Sequence, residues 1–75
     1  MVFEKLKQIL CEEFEIDDND FSLDAVFTLD FGLDDIDLID MVMSVEDEFG
    51  IELPDEALEK ISTVADLVKF IEENI

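Results

Sequence analysis

Between Asp34 and Pro54 the chain carries its own punctuation, and little except a helix of about four turns fits between the marks. Asp34 has the short acceptor side chain that caps free amides at a helix start. Asp35 and Asp37 follow in what becomes the first turn, where the positive end of the helix dipole favours anions. Gly50 after Phe49 supplies a left-handed stop. Pro54-Asp55-Glu56 cannot continue a helix from upstream but can begin a new one. The spacing therefore predicts a helix over 35–49 and a short third helix from Asp55 to about Ile61.

The flanking segments read the same way. Val2, Phe3, Leu6, Ile9, Leu10 and Phe14 recur at intervals of three and four, which marks one face of a first helix over about 2–15. Thr63 followed by Asp66 has the spacing of a capping box, and Val64, Leu67, Val68 and Ile71 then share one face of a last helix. The connection from Ile16 to Leu33 is too rich in Asp, Asn and Ser for a helix interior. Its Phe21, Leu23, Val26, Phe27, Leu29, Phe31 and Leu33 predict a loop packed onto the core. No strand alternation competes and no internal repeat is evident. The expectation is a single all-α domain over residues 1–75, a small four-helix bundle with a long first loop and a short third helix. A chain of 75 residues holds one core at most.

Composition narrows the chemistry. There are 23 acidic residues against four lysines, no arginine and no histidine, for a net charge of −19. The lysines are Lys5, Lys7, Lys60 and Lys69, so nothing from Gln8 to Glu59 is basic. Such a field repels nucleic acid and anionic membranes and steers partners with basic surfaces. Self-repulsion makes the fold sensitive to ionic strength. Disorder is excluded because the apolar residues make up 49% of the chain and fall in helical register. A lone cysteine, Cys11, rules out an internal disulfide and reads as a small filler beside the first helix's apolar face. The start has no cationic segment leading into a long apolar run, so a cytoplasmic protein is expected. A metal centre is not expected: Asp18, Asp20, Ser22 and Asp24 alternate like calcium ligands, but the turn glycine and terminal glutamate are missing. Enzymatic activity is not expected either, since no base or nucleophile beyond carboxylates and Cys11 is visible.

The second helix has more apolar residues than one stripe holds. Leu38, Val42, Val45 and Phe49 form a coherent face, with Ile39 close by. Ile36 and Met43 project elsewhere, in company with Asp35, Asp40, Glu46 and Asp47. That arrangement fits either a central helix covered on most sides or an acid-fringed apolar strip for a basic, apolar groove.

Asp30-Phe31-Gly32-Leu33-Asp34 and the run Met41 to Phe49 resemble the acyl carrier protein family. Glu52-Leu53-Pro54-Asp55-Glu56 and Lys60-Ile61-Ser62-Thr63-Val64 follow at the family's spacing. The resemblance implies a non-enzymatic, monomeric carrier for fatty-acid or polyketide synthesis, whose acyl groups ride on a phosphopantetheine arm. It implies as partners a phosphopantetheinyl transferase and basic-surfaced acyl-chain synthesis enzymes. Carried over, the docking positions are Asp34, Asp37, Asp40, Met43, Glu46, Asp47, Leu53 and Asp55, with Ile36 in place of a leucine. The acyl cavity or core falls to Phe27, Ile39, Val42, Val45, Ile61 and Leu67. The family's attachment serine corresponds to Asp35, in the tripeptide Asp34-Asp35-Ile36. Aspartate has no hydroxyl, and attack by its carboxylate on coenzyme A would give a hydrolysis-prone anhydride, so the chain as written carries no cofactor. Three readings stay open: a carrier whose attachment serine has been exchanged for aspartate, a carrier-like decoy, regulator or structural subunit that never transports, and an acidic cation-binding module.

Overall fold

The computed structural model describes all 75 residues and contains four α-helices. They are α1 (Val2–Phe14), α2 (Asp35–Phe49), α3 (Asp55–Glu59) and α4 (Val64–Asn74), with a single 3-10 turn at Asp18–Asp20. α1 packs against both α2 and α4. Leu6 and Leu10 of α1, Met41 and Val45 of α2, and Val64, Leu67 and Ile71 of α4 are fully buried at the centre. No polar or charged residue is buried, so the core is held by apolar contact alone. The rest of α1's apolar face, from Val2 to Phe14, packs on its edge.

Helix ends follow the expected chemistry. α1 closes at Glu15, which takes the left-handed conformation at φ 56°. Gly50 closes α2 at φ 65°, a conformation that favours glycine, and its N–H donates to the Glu46 carbonyl. The capping box at Thr63 and Asp66 forms reciprocally. α3 ends two residues earlier than its pattern suggests. Lys60 and Ile61 donate to Ala57 and Leu58 in a tight turn, and Thr63 is already extended to start α4.

The first loop is seated, but not by every apolar residue in it. Phe21, Ala25, Phe27 and Leu33 are buried, whereas Leu23 and Leu29 are 47% and 82% exposed and are not core residues. Backbone bonds decide which side chains turn inward. Phe27 donates to Ser62, Val64 to Ala25 and Ala65 to Leu23, at 2.9–3.0 Å, around an isolated antiparallel bridge between Val26 and Thr63. Asp30 closes the next turn on itself: its carboxylate accepts from Val26 N–H at 2.6 Å while its own N–H donates to the Val26 carbonyl. Phe21 and Phe31 stack at 5.7 Å, and Phe3 and Phe27 flank them.

Candidate functional site

The start of α2 is the best-built part of the acidic surface. Asp34 is extended (φ −95°, ψ −175°) and its carboxylate accepts from Asp37 N–H at 2.9 Å. The Asp37 carboxylate returns the bond to Asp34 N–H at 3.2 Å. Two aspartates thus satisfy each other's backbone amides, leaving Asp35 between them exposed in the first turn. No other nucleophile takes its place. Ser44 lies nine residues on, about 13 Å further along the axis, and its hydroxyl donates to Glu13 of α1. Position 35 therefore offers a carboxylate and no hydroxyl, and the donor set does not fit covalent attachment of phosphopantetheine.

Further along α2 the structure redraws the apolar strip. Met41, not Ile39, belongs to the core: Met41 is fully buried, whereas Ile39 is 55% exposed. Viewed down the axis, Met41 lies about 40° from Val45 and Ile39 about 120° away. Ile39 thus joins Ile36 (70% exposed) and Met43 (58%) at i, i+3 and i+7. Asp40 and Asp47 flank this strip on one side, Asp35 and Glu46 on the other. Its four carboxylates and three apolar side chains share one helix face.

The remaining docking positions fare unequally. Asp34 and Asp37 are engaged in the cap, although Asp34 stays exposed. Glu46 is half-buried and accepts the Leu53 N–H at 2.8 Å, so its carboxylate also ties down the loop after α2. Leu53 is itself buried, only 5% exposed, which removes it as a surface contact. Buried Ile51 and the Leu53 anchor hold this loop against the bundle. Asp55 is exposed at the first turn of α3.

Of the residues expected to line an acyl cavity, Phe27, Val45 and Leu67 are buried, and Val42 and Ile61 pack against them. The four main surface depressions are open, and of these residues only Ile61 lines one, a hollow of about 510 Å³ between α3 and α4. The alternating loop acids do not converge: Asp20, Ser22 and Asp24 border one hollow and Asp18 another, and no three acidic side chains are placed to hold a metal ion. Burial, followed by the nearby Asp18 carboxylate, pushes the Cys11 thiol up from its ordinary range, which suits a filler and not a nucleophile.

Four helices, a long seated first loop and a reciprocally capped acidic helix start define a small helical bundle of carrier type. Residues 4–71 match the family described as "Phosphopantetheine attachment site". The chain is 41% identical over 73 residues to the acyl carrier protein of Helicobacter acinonychis, covering 97% of this chain and 94% of that protein. It is 42% identical over 71 residues to the acyl carrier protein of Clostridium acetobutylicum, covering 95% and 92%. The chain belongs to the acyl carrier protein family. No helix is long and apolar enough to cross a membrane.

Proposed function

We propose that this chain serves fatty-acid or polyketide synthesis as a carrier-type docking protein. It is a cytoplasmic, monomeric single domain that carries out no catalysis itself, and α2 presents it to basic-surfaced enzymes. The observation that carries this reading is the Ile36–Ile39–Met43 strip, exposed and bordered by Asp35, Asp40 and Asp47 on a chain of net charge −19. An apolar centre excludes water while surrounding carboxylates meet Lys and Arg, the arrangement that gives both affinity and a fast on-rate. Asp34 and Asp55, exposed at the starts of α2 and α3, add to the negative field that such partners meet.

Binding to a carrier-dependent acyl-chain synthase, measured by calorimetry or surface capture, tests the reading. Asp40→Lys with Asp47→Lys is expected to weaken binding by roughly tenfold or more, and Met43→Ser by a similar factor. Reversal at Glu46 is a poorer probe, because it also removes the acceptor for Leu53 N–H. Equal binding by the Asp40/Asp47 double variant and the parent chain would sink the proposal.

A further inference from the structure

The misfit at position 35 is confined to a single functional group. Asp34 and Asp37 still cap each other, Asp35 is still exposed in the first turn, and the strip beside it is intact. Only the hydroxyl that would accept phosphopantetheine is missing. Resting on the docking role proposed above, we infer that this chain is a dead-end ligand of phosphopantetheinyl transferase, occupying the enzyme's carrier site without being turned over.

What the chain lacks favours this partner. A synthase that works on a loaded carrier gains binding energy from the arm and its acyl group as well as from the helix surface. This chain forfeits that share. The transferase acts on carriers before any arm is present, so its recognition must rest on the protein surface alone. The exposed acids and apolar strip of α2 are thus available to such an enzyme here, while the transition-state interaction is not. Such uniform binding without chemistry makes a competitive inhibitor. The carboxylate also shapes the complex. At the place where a serine hydroxyl would approach the pyrophosphate of coenzyme A, Asp35 brings a like charge. Inhibition should therefore ease as coenzyme A rises, and an uncharged residue at position 35 should relieve that dependence.

The test combines intact mass with competition. The chain as it stands, Asp35→Ser and Asp35→Asn are each incubated with coenzyme A and a transferase, and mass is read. Asp35→Ser is expected to gain one phosphopantetheine and the other two nothing. In parallel, a serine-bearing carrier at a concentration near its KM is loaded with the chain in tenfold excess over that KM. For matched affinities its loading rate should fall roughly sixfold by mass action. Asp35→Asn should inhibit at least as strongly, and an Asp40→Lys/Asp47→Lys variant should not inhibit. Mass gain by the parent chain would overturn the inference. So would loading of Asp35→Ser without inhibition by the parent chain, an outcome that leaves synthase docking standing. Failure of Asp35→Ser to load, together with absent inhibition and absent synthase binding, would instead remove the docking role itself.

Discussion

Asp66 joins α4 to the first loop, and its removal is the most informative single perturbation of the fold. One oxygen, Oδ2, accepts from Ser62 N–H at 3.0 Å, Thr63 N–H at 3.1 Å and Ser62 Oγ at 3.2 Å. In return Asp66 N–H donates to Thr63 Oγ1 at 3.1 Å. The same turn supplies the Ser62 carbonyl that accepts from Phe27 and the Val64 N–H that donates to Ala25. A capping interaction of this kind contributes about 1 kcal/mol, and the extra turn bonds lie at the surface, where solvent discounts them. Asp66→Ala is therefore expected to destabilise the fold by about 1–2 kcal/mol at neutral pH. For a domain of this size that corresponds to about 4–8 °C in Tm for each kcal/mol.

The pH dependence separates this account from a generic loss of packing. The backbone N–H groups of Ser62 and Thr63 hold the Asp66 carboxylate below the usual range, and the two hydroxyls add to the effect. A folded-state pKa that is lowered contributes stability which is present above the unfolded value, about 3.9 for Asp. That contribution is lost as pH falls through the folded value. The gap between parent and Asp66→Ala, read from urea titrations, should therefore narrow as pH is brought from about 7 to about 2. The other carboxylates are common to both proteins and cancel in the difference. Amide exchange at Phe27 should accelerate in the variant, because its acceptor lies in the loosened turn. A gap that stays constant down to the lowest pH, or a loss below about 0.3 kcal/mol at neutrality, would mean that the Asp66 carboxylate does not hold this turn.

The corrected face of α2 makes Met41→Ala cost about 2–4 kcal/mol, while Ile39→Ser stays within about 0.5 kcal/mol of the parent, both read from denaturant midpoints. Burial alone drives the contrast, since the two residues are close in size and hydrophobicity. With 23 acids against four lysines, raising NaCl from about 10 mM to about 0.5 M shortens the screening length several-fold. Tm should rise accordingly, and a Tm that is flat or falls with salt would mean that self-repulsion is unimportant in the folded chain.

Apart from the end of α3, helix limits were legible because each rests on a local rule. Asp34, Gly50 and the Thr63–Asp66 pair act within a turn of themselves, so spacing alone reveals them. Ile39 and Met41 show where such reasoning fails. Both are apolar and flank the predicted face, and only the position of α1 decides which is covered. The signal was present in the i−4 spacing of Met41 from Val45, which sets it nearer the centre than Ile39. Leu53 looks like a surface residue after a helix stop, yet the Glu46 carboxylate draws its N–H inward from seven residues upstream. Leu23 and Leu29 were indistinguishable from Phe21 and Phe27 by composition. Leu23 lies in the segment paired over long range with Ser62, Val64 and Ala65, which no local pattern encodes, and Leu29 lies in the turn that Asp30 closes on Val26.

The value of Asp35→Ser as a probe depends on its leaving the fold alone, and two opposed terms indicate that it will. A carboxylate in the first turn is favoured by the helix dipole by about 0.3–1 kcal/mol. Removing it gives up that amount. Asp35 also stands beside Asp34 and Asp37, whose carboxylates are fixed by their mutual cap, and repulsion among exposed like charges returns a similar few tenths of a kcal/mol. The side chain makes no core contact, so no cavity results. Asp35→Ser should unfold within about 0.5 kcal/mol of the parent at moderate salt. A loss above about 1.5 kcal/mol would mean that the aspartate is part of what holds α2 in place. Within the smaller limit, any gain of loading by the variant reports on the hydroxyl alone. The surface that recognises partners and the atom that accepts cargo are then separable properties of one helix turn.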